Sequence, residues 1–312
     1  MYLKLENVRK EFDEKVAVDN LSLEVPQGVI YGIIGPNGAG KTTTIRMIMN
    51  IIAPDAGKIL FDGREVDDDF KNRVGYLPEE RGLYKKLTLS EVMIYMAELK
   101  GQKAGVTRER IDGWLKKMDL QDYKEHKVED LSKGMQQKLQ FVTTVLHDPD
   151  IVILDEIFSG LDPINMELIK NVIMDLKRAG KTILFSTHVM EQAEKLCDHI
   201  CMISKGKKVI DGTMSAVKAR FGKNSIQIDI EGDGAFIEKL AGVREMTEFN
   251  NYIELHLEEG ADPNEILKGV VQKVKVNRFE LVEPSLYNIF IDMAKFDPAE
   301  SQRDNGEGGK DV

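Results

Sequence analysis

Gly35-Pro36-Asn37-Gly38-Ala39-Gly40-Lys41-Thr42 follows the spacing G-x-x-x-x-G-K-[ST]. Glycines at these positions leave backbone amides unobstructed, so several N–H groups can converge on phosphate oxygens. A helix expected from Thr42 to Ile51 adds the positive end of its dipole. Lys41 supplies a point charge for β- and γ-phosphates, and Thr42 supplies an oxygen for Mg2+. Immediately upstream, the apolar run Val29-Ile30-Tyr31-Gly32-Ile33-Ile34 suits a strand buried on both faces.

Downstream, Ile151-Val152-Ile153-Leu154-Asp155-Glu156 predicts a second buried strand. Its acids fall at the carboxyl edge of the sheet, where ligands bind in such folds. Asp155 is placed to hold Mg2+ through its hydration shell, and Glu156 to polarise an attacking water as general base. Further short apolar runs, Thr182–Ser186 and His199–Ser204, alternate with helical patterns at Ile164–Arg178 and Val189–Cys197. That alternation predicts a parallel sheet covered by helices. Leu3–Val8 and Val16–Val25 instead alternate with period two, which predicts antiparallel strands joined at Asp13-Glu14-Lys15. Residues 84–148 read as an inserted helical subdomain, with helices at Ser90–Leu99, Arg108–Met118 and Gln136–Leu146. Ser90-Glu91 and Thr107 mark two of the helix starts.

The pattern changes again past Thr213. Strands are expected at Ser225–Glu231, Val243–Phe249, Tyr252–Leu257 and Val274–Val282, and helices at Ala235–Leu240 and Asn264–Val271. The order β-α-β-β-α-β predicts a ferredoxin-like unit over 216–296. A last helix is expected at Ser285–Ala294, and a disordered polar tail over 297–312.

The 312 residues carry 53 acidic and 43 basic side chains, a net charge of -10. An acidic chain without a long basic run is repelled by nucleic acid and anionic lipid, so no nucleic-acid partner is expected. The longest apolar candidate, Ile45 to Ala53, falls well short of the roughly 18 residues a spanning helix needs. The N-terminus lacks a secretory pattern, so a cytoplasmic location is expected. Cys197 and Cys201 read as small thiols packed beside a strand.

Leu131-Ser132-Lys133-Gly134-Met135-Gln136-Gln137-Lys138 resembles the signature of the ABC ATPase family, L-S-G-G-Q followed by x-Q-[RK]. Ser159-Gly160-Leu161-Asp162-Pro163 resembles that family's D-loop, and His188 its switch histidine. Phe12 falls where the family stacks a ring on adenine. The resemblance spans about residues 1–215. It implies an α/β P-loop ATPase core with a mixed sheet, an antiparallel β subdomain and a helical subdomain. It also implies ATP and Mg2+ as cofactors. Gly35 through Thr43 and Phe12 would bind ATP, and Thr42, Glu79 and Asp155 would surround the metal. Lys41, Glu156 and His188 would act in hydrolysis. Leu131 to Met135 would serve a second ATPase subunit in trans, two copies pairing head to tail. A membrane-spanning permease is the further partner implied, holding this chain at the inner face of the membrane. The C-terminal unit, ending in Glu283-Pro284-Ser285-Leu286-Tyr287-Asn288-Ile289-Phe290, resembles the extension of bacterial export ATPases. The alternative is an ABC ATPase acting on a ribosome or a nucleic-acid complex.

Three positions depart from the family pattern. Glu79 replaces the usual glutamine, Lys133 a glycine and Met135 a glutamine. Either Lys133 offsets the charge of Glu79 across a closed dimer interface, or the changes are independent of each other.

Overall fold

A computed structural model describes residues 2–295 except Glu14, Arg81, 222–224, Asn250 and Glu259; of Asp292, Ala294 and Lys295 it describes the backbone alone. The expected tail at 297–312 and the middle of the Asp13–Lys15 turn lie outside the described residues. The chain divides into two compact units, Met1–Thr213 and Met214–Val312.

In the first unit, β1 (Leu3–Phe12) and β2 (Lys15–Val25) pair antiparallel from Leu3↔Val25 to Phe12↔Lys15. Their alternation buries Leu3, Leu5, Val18, Leu21 and Leu23 on one face, as a period of two requires. β3 (Ile30–Ile34) is buried at every residue. Each buried aliphatic side chain there contributes about 1.5–3 kcal/mol. The phosphate-loop helix α1 runs Lys41–Ile48. Two strands unforeseen in the sequence follow, β4 (Ala56–Phe61) and β5 (Arg64–Glu65), and complete a sheet ordered β2-β1-β4-β5. β4 hides from pattern reading because its first three residues are exposed. Gly57 there has φ +80, and a Cβ on it would stand 2.4 Å from the Glu6 and Asn7 carbonyl oxygens. Close backbone approach, not alternation, set that residue.

α2 (Asp68–Arg73) begins where Asp67 accepts from the Phe70 N–H, and leads into β6 (Val74–Leu77). The helical insertion holds α3 (Leu89–Glu98), α4 (Ala104–Lys117) and α5 (Lys133–Val145). Thr88, not Ser90, caps α3: its hydroxyl accepts from Glu91 N and the Glu91 carboxylate accepts from Thr88 N, a capping box. α4 starts at Ala104, one turn before the Thr107 signal, with no side-chain cap at Lys103. Thr107 instead donates back to the Lys103 carbonyl from inside the helix.

The central sheet continues with β7 (Ile151–Asp155), β8 (Thr182–Thr187), β9 (His199–Ser204) and β10 (Lys207–Thr213), in the order β10-β9-β3-β8-β7-β6. Five strands are parallel, while β10 pairs antiparallel with β9. The sheet is therefore mixed. α6 (Pro163–Arg178) and α7 (Met190–Leu196) are its later crossovers. One apolar cluster joins the antiparallel sheet, α1 and the central sheet, from Leu5 and Val18 through Ile45 to Ile33, Ile153 and Leu184.

The second unit opens with α8 (Met214–Arg220). It continues with β11 (Ser225–Glu231), β12 (Val243–Glu248), β13 (Ile253–Leu257), α9 (Pro263–Val271), β14 (Lys275–Val282) and α10 (Leu286–Lys295). Sheet order β12-β13-β11-β14 with every pair antiparallel is the ferredoxin-like arrangement. The helix expected at Ala235–Leu240 is reduced to one 3-10 turn, Ile237–Lys239. The segment is too short, between Gly234 and Gly242, to repay helix nucleation. Ile226, Ile228, Leu255 and Val270 form its core.

Candidate active site

Parallel register brings the ligand-edge residues together. Ile34 lies beside Thr187, Asp155 beside Ser186, and Leu77 beside Leu154. The loops that follow β3, β6, β7 and β8 therefore leave the sheet at one edge.

The loop after β3 is set by glycines. Gly35 has φ +151, and a Cβ there would lie 2.1 Å from the Ile203 carbonyl oxygen. Gly40, the residue before α1, has φ +107, and its Cβ would lie 2.5 Å from the Ala17 oxygen. Side chains at either position would drive the backbone off its neighbours. Lys41 folds back over this loop and donates to the Gly35 oxygen at 2.9 Å and the Pro36 oxygen at 3.2 Å. Its ammonium also stands 3.4 Å from a Glu156 carboxylate oxygen, with both side chains more than nine-tenths buried.

Asp155 is fully buried. The Ser186 hydroxyl donates to its Oδ1, and its Oδ2 is buried without a hydrogen-bond partner. Burial pushes its carboxyl above the usual range, against the opposing pull of the Ser186 and Thr42 hydroxyls; Glu156 and Glu79 add to the rise. A buried carboxylate oxygen left unbonded next to the Thr42 hydroxyl is the donor set a hard cation takes. The residues present therefore fit Mg2+.

Glu156 follows at φ 51, an uncommon left-handed conformation for a non-glycine residue. Its N–H donates to the Ser186 hydroxyl at 3.2 Å. Its Oε2 lies 3.0 Å from His188 Nδ1. Lys41, Glu156 and His188 thus form one contiguous chain of polar contacts. A cleft of about 550 Å3 runs along them, bounded also by Phe12, Asn37, Thr43 and Glu79. Phe12 is 47% exposed at the end of β1, with the Lys10 ammonium 5.4 Å from its ring centre.

The signature residues stand apart from that cleft. Ser132 caps α5 of its own chain, accepting from Met135 N at 3.3 Å, and is exposed, as is Lys133. Gly134 is half-buried, with Asn165 close by, while Leu131 is buried. The D-loop follows Glu156 directly: Ser159 N donates to the Glu156 carbonyl, Gly160 turns at φ +74, and Asp162 caps α6 by accepting from Asn165 N. Gln137 Nε2 donates to the Ser159 carbonyl at 3.2 Å, tying signature helix to D-loop.

Sequence reading passed over Ser186, although a hydroxyl closing an apolar strand beside Asp155 was the available signal. Gln137 falls in the quoted signature stretch, but its contact with the Ser159 carbonyl could not be read from the sequence. Cys197 and Cys201 are both buried, and burial raises both thiols.

A mixed α/β sheet with a glycine loop at the end of β3 and an acid pair at the end of β7 defines a P-loop ATPase core. A family model described as ABC transporter matches residues 18–159, and one described as ATP-binding protein DrrA1-3-like, C-terminal domain, matches 212–294. The ABC transporter ATP-binding protein YhaQ of Bacillus subtilis is 42% identical over 290 residues, covering 93% of this chain and 97% of its own. Nod factor export ATP-binding protein I of Paraburkholderia xenovorans is 36% identical over 252 residues, 80% of this chain and 83% of its own. Among solved structures, an ATP-binding subunit of an ABC transporter superposes with a TM-score of 0.66 at 29% identity, covering 71% of this chain and 94% of its own. A dimeric post-hydrolysis ATP-binding cassette bound to ADP and Pi gives 0.62 at 25% identity, covering 68% and 98%. The chain belongs to the ABC transporter ATP-binding proteins, an ATP-hydrolysing family. No helix among the described residues is long and apolar enough to cross a membrane.

Proposed function

We propose that this chain hydrolyses ATP in a head-to-tail pair and drives export through a separate membrane permease. The observation that carries the reading is the contact chain Lys41–Glu156–His188 beside the half-unbonded Asp155. In this reading residues 1–215 are the ATPase domain and 216–296 an accessory domain.

Lys41 exchanges its loop carbonyls for phosphate oxygens when the triphosphate enters, and the amides of Gly38 to Thr43 hold the remaining oxygens. Phe12 stacks on adenine. Glu156 accepts a proton from the attacking water, and His188 holds the Glu156 carboxylate and hydrogen-bonds the γ-phosphate. Thr42, Asp155 and Glu79 would hold the Mg2+, which would supply positive charge to neutralise the phosphates. Ser132 and Gly134 are exposed or half-buried at a helix start, free to meet the partner's γ-phosphate. Closure of two half-sites on one nucleotide then couples dimerisation to ATP, and cleavage releases it. The dimeric relative bound to ADP and Pi supports the pairing, and the export relative supports the direction. A membrane subunit docks near Glu79 and the helical subdomain.

Glu156→Gln tests the reading. The variant is expected to bind Mg-ATP normally, to turn over about 10²–10⁴-fold more slowly, and to accumulate as a dimer on a sizing column. Unchanged turnover would remove Glu156 from its role.

A further inference from the structure

Beside the phosphate cleft lies a second cavity of about 600 Å3, with Asp155, Thr42 and Ser159 on its wall. Six charged side chains line it: Glu79, Glu80 and Asp155 against Arg46, Lys85 and Lys133. Two of these six, Glu79 and Lys133, are the positions where the chain departs from its family's pattern in charge, one adding a negative and the other a positive. Both sit on the wall of the same cavity in a single chain. The exposed Lys133 side chain lies by the D-loop, its ammonium 3.7 Å from where a Cβ on Gly160 would stand.

We propose that Lys133 acts within its own chain through its charge: its ammonium, on the wall of the cavity that Glu79 and Asp155 also line, weakens Mg2+ binding at Asp155. This rests on the reading of Asp155 as a metal-binding residue given above.

Size decides whether such a charge is felt. A sphere of this cavity's volume, about 600 Å3, is about 10 Å across, a length comparable to the Debye length near 0.1 M salt. Even at the dielectric constant of water, a unit charge about 10 Å from a divalent cation changes its affinity about fourfold. Low salt preserves that factor. Because the charges line one cavity of a single chain, the effect exists before any partner arrives.

The test is a Mg2+ titration of the full chain bound to a fluorescent ADP analogue, dilute enough to be monomeric and at low ionic strength. ADP lacks the γ-phosphate that the partner's signature grips, so a contact in trans contributes nothing. Lys133→Met is expected to tighten Mg2+ about fourfold, and Lys133→Arg to leave it unchanged. Asp155→Asn is the control and is expected to lose most of the Mg2+ response. If Asp155→Asn responds as expected while Lys133→Met matches the parent chain, Lys133 does not act in cis and the inference fails alone. If Asp155→Asn also matches the parent chain, the metal assignment beneath it fails.

Discussion

Asp155 has no exposed surface and keeps one carboxylate oxygen unbonded. Its carboxyl is raised by burial, so the folded state disfavours the charge, and the protein is less stable at neutral pH than it would be with a neutral group there. Asp155→Asn keeps an acceptor for the Ser186 hydroxyl while removing that charge. The nucleotide-free variant is expected to melt at a higher temperature than the parent chain, while losing Mg2+-dependent turnover. A lower melting temperature by calorimetry would show that Asp155 is held for stability. Lys41 behaves oppositely. Lys41→Ala strips Glu156 of its buried ammonium and should abolish measurable ATP affinity in a fluorescence titration; normal binding would contradict the phosphate-loop assignment.

At the scale of elements, the turn between α5 and β7 carries a pH-sensitive residue at the end of β7 opposite Asp155. His147 is 5% exposed, and neither ring nitrogen makes a well-formed hydrogen bond. Burial, with the nearby Lys100 ammonium, lowers its pKa to about 4. A base with a depressed folded pKa is stabilising while neutral. That stability is complete above about 6.5, the unfolded value, and is lost as pH falls from there toward about 4. The loss should reach about 2 kcal/mol by pH 5. His147→Leu should flatten the stability profile between pH 7 and 5 in denaturant titrations, and an unchanged slope would assign the acid sensitivity to other groups. The sequence made some elements legible and hid others for physical reasons. β3, β7 and β8 are buried throughout and stand out as apolar runs. β4 and β10 are half-exposed and carry little alternation. The α3 cap sits at Thr88 because the capping box, not the first serine, satisfies the free N–H groups. At the site, Lys41, Asp155 and Glu156 lie in local motifs. The link from Asp155 to Ser186 comes from strand register and that from Gln137 to Ser159 from a backbone carbonyl, which no spacing rule records.

For the whole molecule, each chain presents the two halves of a nucleotide site on different elements. The phosphate loop, Glu156 and His188 line one cleft, while Ser132 begins α5 outside it and is exposed. Gln137 joins the signature helix to Ser159, and Ser159 contacts Glu156, so what one half grips can reach the other half of the same chain. The most direct measurement is ATPase rate per chain as the chain is diluted, with oligomeric state followed by sedimentation at the same concentrations. Sites shared between two copies predict that specific activity falls as dimers dissociate, and that Ser132→Arg abolishes turnover while leaving ATP binding to the dilute monomer intact. Constant specific activity in a strict monomer, indifferent to Ser132, would contradict a nucleotide held from both sides.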